Sequence, residues 1–327
     1  MEKILEVLLA NPGRYVSGEA LAKSAGLTRA AIWKQIEQLR ALGYVIDSAP
    51  RKGYLLTGPA DTLLPTEVQR GLNTTRFGKT IFYQNEVDST NAWGRRLAEN
   101  GAAEGTVVVA ETQSAGRGRM GRSWNSLPGK GLWFSLILRP AFSAAELSGI
   151  MTVSAVCMAK AINRVAATQP QIKWPNDLLL QGRKVTGILA ELKGELDLVN
   201  YVILGIGVNV NHTLTDFPAE LRDKAGSLAA SVNRPVSRAA LLRQFLSEFE
   251  AVYLQLHAGT GLAEVIAYAR EHSATVGQPV TVSQGYGRTI SGTALDLDSD
   301  GSLLLRRDNG DLVRLNSGEL IANSEPS

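Results

Sequence analysis

The 327-residue chain contains one cysteine, Cys157, and only three histidines, His212, His257 and His272. A lone cysteine excludes an internal disulfide framework, and histidines this scattered offer no metal-ligand spacing. Cys157 lies in an apolar helical run, where a thiol is a small buried hydrophobe. No uninterrupted apolar stretch reaches the roughly 18 residues of a membrane helix. The polar start Met1-Glu2-Lys3 is not a secretory signal. No G-x-x-x-x-G-K-[ST] sequence occurs, which excludes a P-loop site. Internal repeats and low-complexity tracts are absent too. The expectation is a cytoplasmic protein with no membrane partner.

What is present is enough for packed cores: 44% of residues are hydrophobic. The net charge of +3 is unevenly spread. Lys and Arg against Asp and Glu number 8 against 6 in residues 1–65, 22 against 18 in 66–274, and 4 against 7 in 275–327. A mildly basic front and an acidic tail neither require nor exclude nucleic acid.

Three sections follow one another, taken as domains 1–62, 75–273 and 275–327. In the first, Ile4, Leu5, Leu8 and Leu9 form an apolar helical stripe. Ser17 and Thr28 read as N-caps of two further helices, the first stopped by Gly26 and the second by Gly43. Ile32, Ile36 and Leu39 face a core. Tyr44–Asp47 and Tyr54–Thr57 read as strands around Ser48–Gly53, which completes the order of a winged helix-turn-helix. Arg29, Lys34, Gln35 and Gln38 lie off the apolar stripe, where groove contacts arise, and Arg51 and Lys52 sit at the wing tip, suited to phosphate. With Ser17 and Thr28 they make the candidate DNA-binding set. A helical docking module with an ordinary solvated face is the alternative. Trp33 is read as a packing residue at the core edge.

Residues 58–73 read as a connection with a short helix. In the second section, strands such as Thr106–Ala110, Leu132–Leu138 and Tyr201–Gly205 alternate with helices near 90–100, 144–166, 237–257 and 261–272, a mixed α/β pattern. From Val276 onward, short β-rich runs separated by glycines suggest a small barrel.

Four segments carry chemistry. Gly116-Arg117-Gly118-Arg119-Met120-Gly121 matches G-x-G-x-x-G, but the following Arg122–Gly129 cannot open a helix, so a Rossmann site is rejected. What remains is a glycine loop with three arginines, Arg117, Arg119 and Arg122, flanked by Gln113 and Trp124: an anion nest with bidentate donors. A solvated basic turn is the plainer reading. Lys173–Leu178 and Gly182–Glu191 form a turn and a hairpin across Gln181-Gly182-Arg183, with Lys184 starting the return strand. Asp88-Ser89-Thr90-Asn91 marks a helix start, which serves as a cap or as a polar ligand site. Gly205–Asn211 is a glycine-bearing strand that something can approach closely.

Together these segments resemble the bifunctional biotin–protein ligases that double as biotin operon repressors. The matches are Asp88–Asn91, Gln113–Trp124, Lys173–Leu178, Gly182–Leu189 and Gly205–Asn209, in family order along essentially the whole chain. The resemblance implies a multidomain α+β protein. Its parts are a winged helix-turn-helix, a class II synthetase-like mixed α/β ligase domain and a C-terminal SH3-like β-barrel. It implies that ATP and Mg²⁺ activate biotin to biotinyl-5′-adenylate, which then acylates a lysine of a biotin carboxyl carrier domain. By motif, Ser89, Thr90, Asn91 and Gln113 hold biotin, and Arg117, Gly118 and Arg119 cover the activated carboxyl and phosphate. Lys184, Arg117 and Arg119 are the catalytic cations. Arg119, Arg122, Trp124, Asn176 and Asn209 meet the nucleotide, with Trp124 against the adenine and Asp177 as a Mg²⁺ contact. Met120 stands where some relatives have arginine. Relatives also dimerise through the central sheet when loaded with adenylate and then bind operator DNA. Three alternatives stand beside this reading: a lipoate–protein ligase, a ligand sensor without catalysis, and a ligase whose helix-turn-helix no longer regulates. Arg314 and Glu319 of the tail are read as ordinary surface residues, with contact to nucleotide or carrier as the alternative.

Overall fold

The computed structural model describes residues 1–58, 61–140, 148–195, 198–285 and 287–321. The chain divides into two compact units, Met1–Glu67 and Val68–Ser327.

The first unit opens with helices α1 (Glu2–Leu9), α2 (Gly18–Ala25) and α3 (Arg29–Ala41) and continues into strands β1 (Val45–Ala49) and β2 (Gly53–Gly58). Ser17 Oγ accepts the Ala20 N–H at 3.1 Å and Thr28 Oγ1 that of Ala31 at 3.3 Å, so both hydroxyls satisfy free donors at helix starts. Ile4, Leu8, Leu21, Ile32, Ile36 and Leu39 close one core. The wing is tighter than the sequence suggests: Ala49 pairs with Gly53, leaving only three residues between the strands. Gly53 has φ +105 and a Cβ there would lie 2.1 Å from the Val16 carbonyl oxygen, so the position accepts only glycine. Trp33 is 61% exposed and does not pack at the core edge, because it lies outside the Ile32–Ile36–Leu39 stripe.

Helix α4 (Pro65–Gln69) leads into the second unit. There, β3 (Ile81–Val87), α5 (Thr90–Glu99), β4 (Val107–Gln113), β5 (Gly131–Leu138), α6 (Ser148–Ala166), β6 (Gln171–Lys173), β7 (Asp177–Leu180), β8 (Arg183–Glu195) and β9 (Leu198–Asn209) follow in order. The expected helix start at 144 falls outside the described residues. Helices α7 (Leu228–Val232), α8 (Arg238–His257) and α9 (Leu262–Glu271) complete the layer. The seven strands order as β3-β4-β5-β9-β8-β7-β6, with β3 and β4 parallel and the other pairs antiparallel. Helix α5 covers one face and α8 the other. Phe134 meets Phe245 of α8 with ring centroids 5.3 Å apart, while Ser135 bonds to Thr90 and Asn91 of α5. Alternate side chains of β5 therefore face opposite helices, which is why all eight of its residues are buried. The turn between β7 and β8 is Gln181-Gly182, with φ +51 and +75, so β8 starts at Arg183 rather than at Lys184.

The last strands, β10 (Pro279–Ser283), β11 (Thr289–Leu297), β12 (Leu303–Arg306), β13 (Leu312–Leu315) and β14 (Glu319–Ile321), form one antiparallel sheet in the order β13-β12-β11-β10-β14. Trp174 ties it to the larger sheet: its Nε1 donates to Gly301 O at 3.2 Å and its backbone N–H to Thr275 Oγ1 at 3.0 Å.

One buried ion pair joins α8 to the large sheet. Arg238, 2% exposed, donates from Nη1 to Glu111 Oε2 at 2.6 Å and to Gly131 O at 3.2 Å. Removing one partner of such a pair strands a buried charge. Arg238→Ala is therefore expected to lower unfolding stability by about 3–5 kcal/mol, read from urea midpoints, with Glu111→Gln in the same chain recovering part of the loss. An unchanged midpoint would show that the pair carries no stability.

Candidate functional site

A cleft of about 1060 Å³ opens on the α5 face of the large sheet, in the second unit. Its floor is made by glycines. Gly187 and Gly207 are register partners on β8 and β9, and Gly205 lies two residues before Gly207 on the same face. Each missing Cβ is replaced by a neighbour. At Gly205 a Cβ would lie 2.1 Å from Asn91 Oδ1; at Gly187 and Gly207 it would lie 2.6 and 2.7 Å from the Trp124 indole. Trp124 thus lies against the backbone of both strands, with the edge of Trp133 beneath it at a 6.2 Å centroid distance.

At one end, the start of α5 supplies polar groups. Ser89 occupies the N-cap position but its side chain makes no cap bond. Thr90 donates from N (2.8 Å) and Oγ1 (3.2 Å) to Gln113 Oε1, and Gln113 Nε2 donates to Ser126 Oγ at 2.9 Å. Gln113 is therefore held with its carbonyl toward Thr90. Asn91 is committed to the protein: Oδ1 accepts from Ser135 Oγ at 2.6 Å and Nδ2 donates to Glu191 Oε2 at 2.9 Å. Arg95 completes this row on Glu191 Oε1 at 3.1 Å. Ser126 and Ser135 lie outside the singled-out segments, and Glu191 closes the Gly182–Glu191 segment without a role expected of it; packing of α5 on the sheet brings Ser135 and Glu191 to Asn91, and the loop before β5 brings Ser126 to Gln113.

The glycine loop folds as a narrow hairpin over the cleft. Gly118 N donates to Arg122 O at 2.7 Å, Trp124 N to Gly116 O at 2.9 Å, and Met120 sits at φ +57 with 62% exposure. The three arginines go different ways. Arg117 is exposed. Arg119 is half-buried and donates to Asn176 Oδ1 at 3.2 Å. Burial pulls its pKa down, against Glu319 and Asp177, which favour the cation. Arg122 pairs with Glu319 of β14, so Glu319 lines the cleft and is not a plain surface residue. Arg314, by contrast, is held by Asp298 and Asp300.

On the far wall, Lys184 Nζ lies 2.7 Å from Asp177 Oδ1 and 5.4 Å from the Trp124 ring centroid. Asn176 Nδ2 donates to Ile188 O at 2.6 Å. Asn209 is buried, with Nδ2 3.5 Å from Lys184 O. Lys184 is bracketed by a segment that the sequence did not mark: its N–H donates to Lys224 O at 2.7 Å and its carbonyl accepts from Gly226 N at 2.9 Å. Phe217, Leu221, Asp223 and Lys224 of that segment line the cleft. The described residues hold no cluster of three or more His, Cys, Asp or Glu able to bind a metal. Asp177 is already paired with Lys184, and the other carboxylates along the cleft, Asp223 and Glu319, do not cluster with it. Such a site suits a cation that arrives with a phosphate rather than a resident one.

In the first unit, Lys34, Gln38, Arg51 and Lys52 are exposed. Arg29 pairs with Glu19 at 3.2 Å, and the hydroxyls of Ser17 and Thr28 are occupied as cap acceptors. Gln35 departs from its expected place on an open polar face: it is half-buried, and its Oε1 is enclosed without a hydrogen bond.

Residues 83–209 match the Biotin/lipoate A/B protein ligase family, residues 275–321 the Biotin protein ligase C terminal domain and residues 1–55 an HTH domain. A solved structure of biotin protein ligase from Aquifex aeolicus, in complex with biotin and ATP, is similar with a TM-score of 0.64 at 30% identity, over 74% of this chain and 98% of that one. The bifunctional ligase/repressor BirA of Bacillus subtilis is 37% identical over 94% of each chain. That of Escherichia coli is 32% identical over 93% of this chain and 92% of its own. The chain belongs to the biotin–protein ligase family, in the branch that joins ligase and repressor. Among the described residues, no helix is long and apolar enough to cross a membrane.

Behind the cleft wall, His212 is 2% exposed, stacked on Phe217 at 4.9 Å, with neither ring nitrogen hydrogen-bonded. Burial pushes its pKa down from 6.5 to about 4, assisted by Lys130 and opposed by Asp216. As pH falls, the unfolded chain protonates this histidine first, so stability drops through the window from about 6.5 to about 4. His212→Phe is expected to flatten that part of the pH–stability curve, measured by urea unfolding at half-unit intervals. An unchanged slope would assign it to other groups.

Proposed function

We propose that the cleft activates biotin with ATP to biotinyl-5′-adenylate and transfers the acyl group to a lysine of a biotin carboxyl carrier domain. The first unit makes the same chain a repressor of biotin-synthesis genes. The observation that carries the first part is the pairing, in one cleft, of a neutral polar end at Thr90 and Gln113 with a cationic end at Arg119 and Lys184. A ureido ring offers one carbonyl and two N–H groups. Ser89 Oγ, the Thr90 donors and the Gln113 carbonyl complement it, and Thr90 and Gln113 are held together by mutual hydrogen bonds. A dithiolane ring offers no such partners, which favours biotin over lipoate.

The chemistry requires two anions to meet. Biotin's carboxylate attacks the α-phosphorus of ATP and pyrophosphate leaves. Preorganised cations lower that barrier more than a nucleophile or a histidine base would. Lys184 faces the reacting oxygen and phosphorus, released from Asp177 as negative charge builds opposite it. Arg119 and Arg117 close over the carboxyl and phosphate with the Gly118 backbone. Trp124, resting on Gly187 and Gly207, provides a flat face for the adenine, with Asn176, Asn209 and Arg122 around the nucleotide. Asn91 acts by supporting Ser135 and the α5 start rather than by direct contact. Mg²⁺ enters with the triphosphate as part of the nucleotide substrate, and Asp177 is the carboxylate proposed to meet it. Exposed Lys34, Gln38, Arg51 and Lys52 are the proposed DNA contacts, in a cytoplasmic protein that dimerises when loaded with adenylate.

Incubation with Mg²⁺-ATP, biotin and a carrier domain should add one biotinyl mass to the carrier, with no product from lipoate. Lys184→Ala should lower the adenylation rate by about 10²–10³ while biotin still binds. Biotin binding without any mass shift would favour a sensor without catalysis. Sedimentation should show a dimer only with biotin and ATP together, and Arg51→Ala with Lys52→Ala should weaken DNA binding and reduce its salt slope by about 2. A monomer at high concentration with adenylate bound would remove the dimeric-repressor reading.

A further inference from the structure

A second cavity, of about 290 Å³, adjoins the cleft. Arg119, Trp174, Pro175 and Leu189 line both spaces. The rest of its wall comes from the first turn of α6, from β8 and β9 at Ala190 and beyond, from Gly301 between β11 and β12, and from the turn before β14 at Ser317. Arg119 is the one charged side chain among the described lining residues. The nearby Asp300 is turned to Arg314 at 2.6 Å. The space is too small for a folded partner or a nucleotide, yet it suits one extended alkyl chain, and Arg119, proposed above to close over the activated carboxyl, lines both it and the cleft.

Resting on the ligase reading above, we propose that this cavity admits the acceptor lysine of the carrier domain and delivers its neutral amine to the acyl carbon. Its apolar walls take up the four methylenes. Burial and the Arg119 charge both oppose an ammonium there, so the lysine gives one proton to solvent before it reacts. The amine nitrogen then bonds to the acyl carbon. The carbon–oxygen bond to phosphate breaks, AMP leaves with the electron pair, and a second proton passes from nitrogen to solvent. The first half-reaction uses the main cleft and the second approaches from the other side of Arg119, so the acceptor does not cross the space filled by nucleotide.

The test fills the cavity from two sides without altering the cleft, with Ser317→Trp at its exposed rim and Ala190→Leu on its half-buried wall. Biotin-dependent ATP–pyrophosphate exchange reads the first step, acylation of a carrier domain the second, and trapping by hydroxylamine the exposure of the acyl carbon to a small amine. Both variants should keep exchange within about twofold and lose about tenfold or more in carrier acylation, with hydroxylamine trapping retained. Unchanged carrier acylation in both would overturn the proposal. So would an equal loss of hydroxylamine trapping, which would put the block at the acyl carbon, or a loss of exchange, which would assign the cavity to the first step. Absence of exchange in the unaltered protein would instead defeat the ligase reading itself.

Discussion

Neighbouring strands place opposed Cβ atoms only about 4.5–5.5 Å apart, so an ordinary sheet face is paved with side chains and closed to a ligand. On β8 and β9 three positions on one face, Gly187, Gly205 and Gly207, have no Cβ, and the rest of the site depends on that gap. Trp124 can lie against main chain only there. Asn91 can reach across to Glu191 only because Gly205 leaves room. Alanine at any of the three would push a methyl group to within 2.7 Å of the tryptophan or the asparagine. The cost of glycine in a strand, in entropy and lost packing, is offset by burial of the sheet between α5 and α8.

The sequence made the chemical segments legible because their residues are unusual for their positions. Three arginines among glycines, or glycines repeating within a strand, conflict with ordinary local preference and so mark themselves. Ser126, Ser135 and Glu191 do not: a serine in a loop or strand, or a glutamate in a strand pattern, is unremarked until packing sets it beside an asparagine or a glutamine. The 213–226 segment carries no motif and joins the site through two backbone hydrogen bonds, which residue type cannot reveal. Trp33 and Gln35 went astray for a related reason. A helical stripe predicts which residues face the core but not how wide the core is, so a bordering tryptophan ended outside and a polar glutamine partly inside.

The helical layers and the order of the sections could be read from periodicity and caps, since Ser17, Thr28 and Gly26 act locally. The dependence of the glycine loop on the last sheet could not. Arg122 pairs with Glu319, and Trp174 reaches Gly301 and Thr275. Residues 100 and more positions apart thus share one wall, and the small sheet is a structural part of the cleft as well as an appendage to it.

Surface loops usually tolerate changes of length because little hangs on where their backbone lies. The 213–226 segment is different. Its Lys224 carbonyl and Gly226 N–H grip both sides of Lys184, so one residue more or less before that point would slide the lysine's hold along the chain. Among homologues of varying loop lengths, this stretch should be a ruler: insertions would accumulate before it or after it, and the spacing from Phe217 to Gly226 would stay constant.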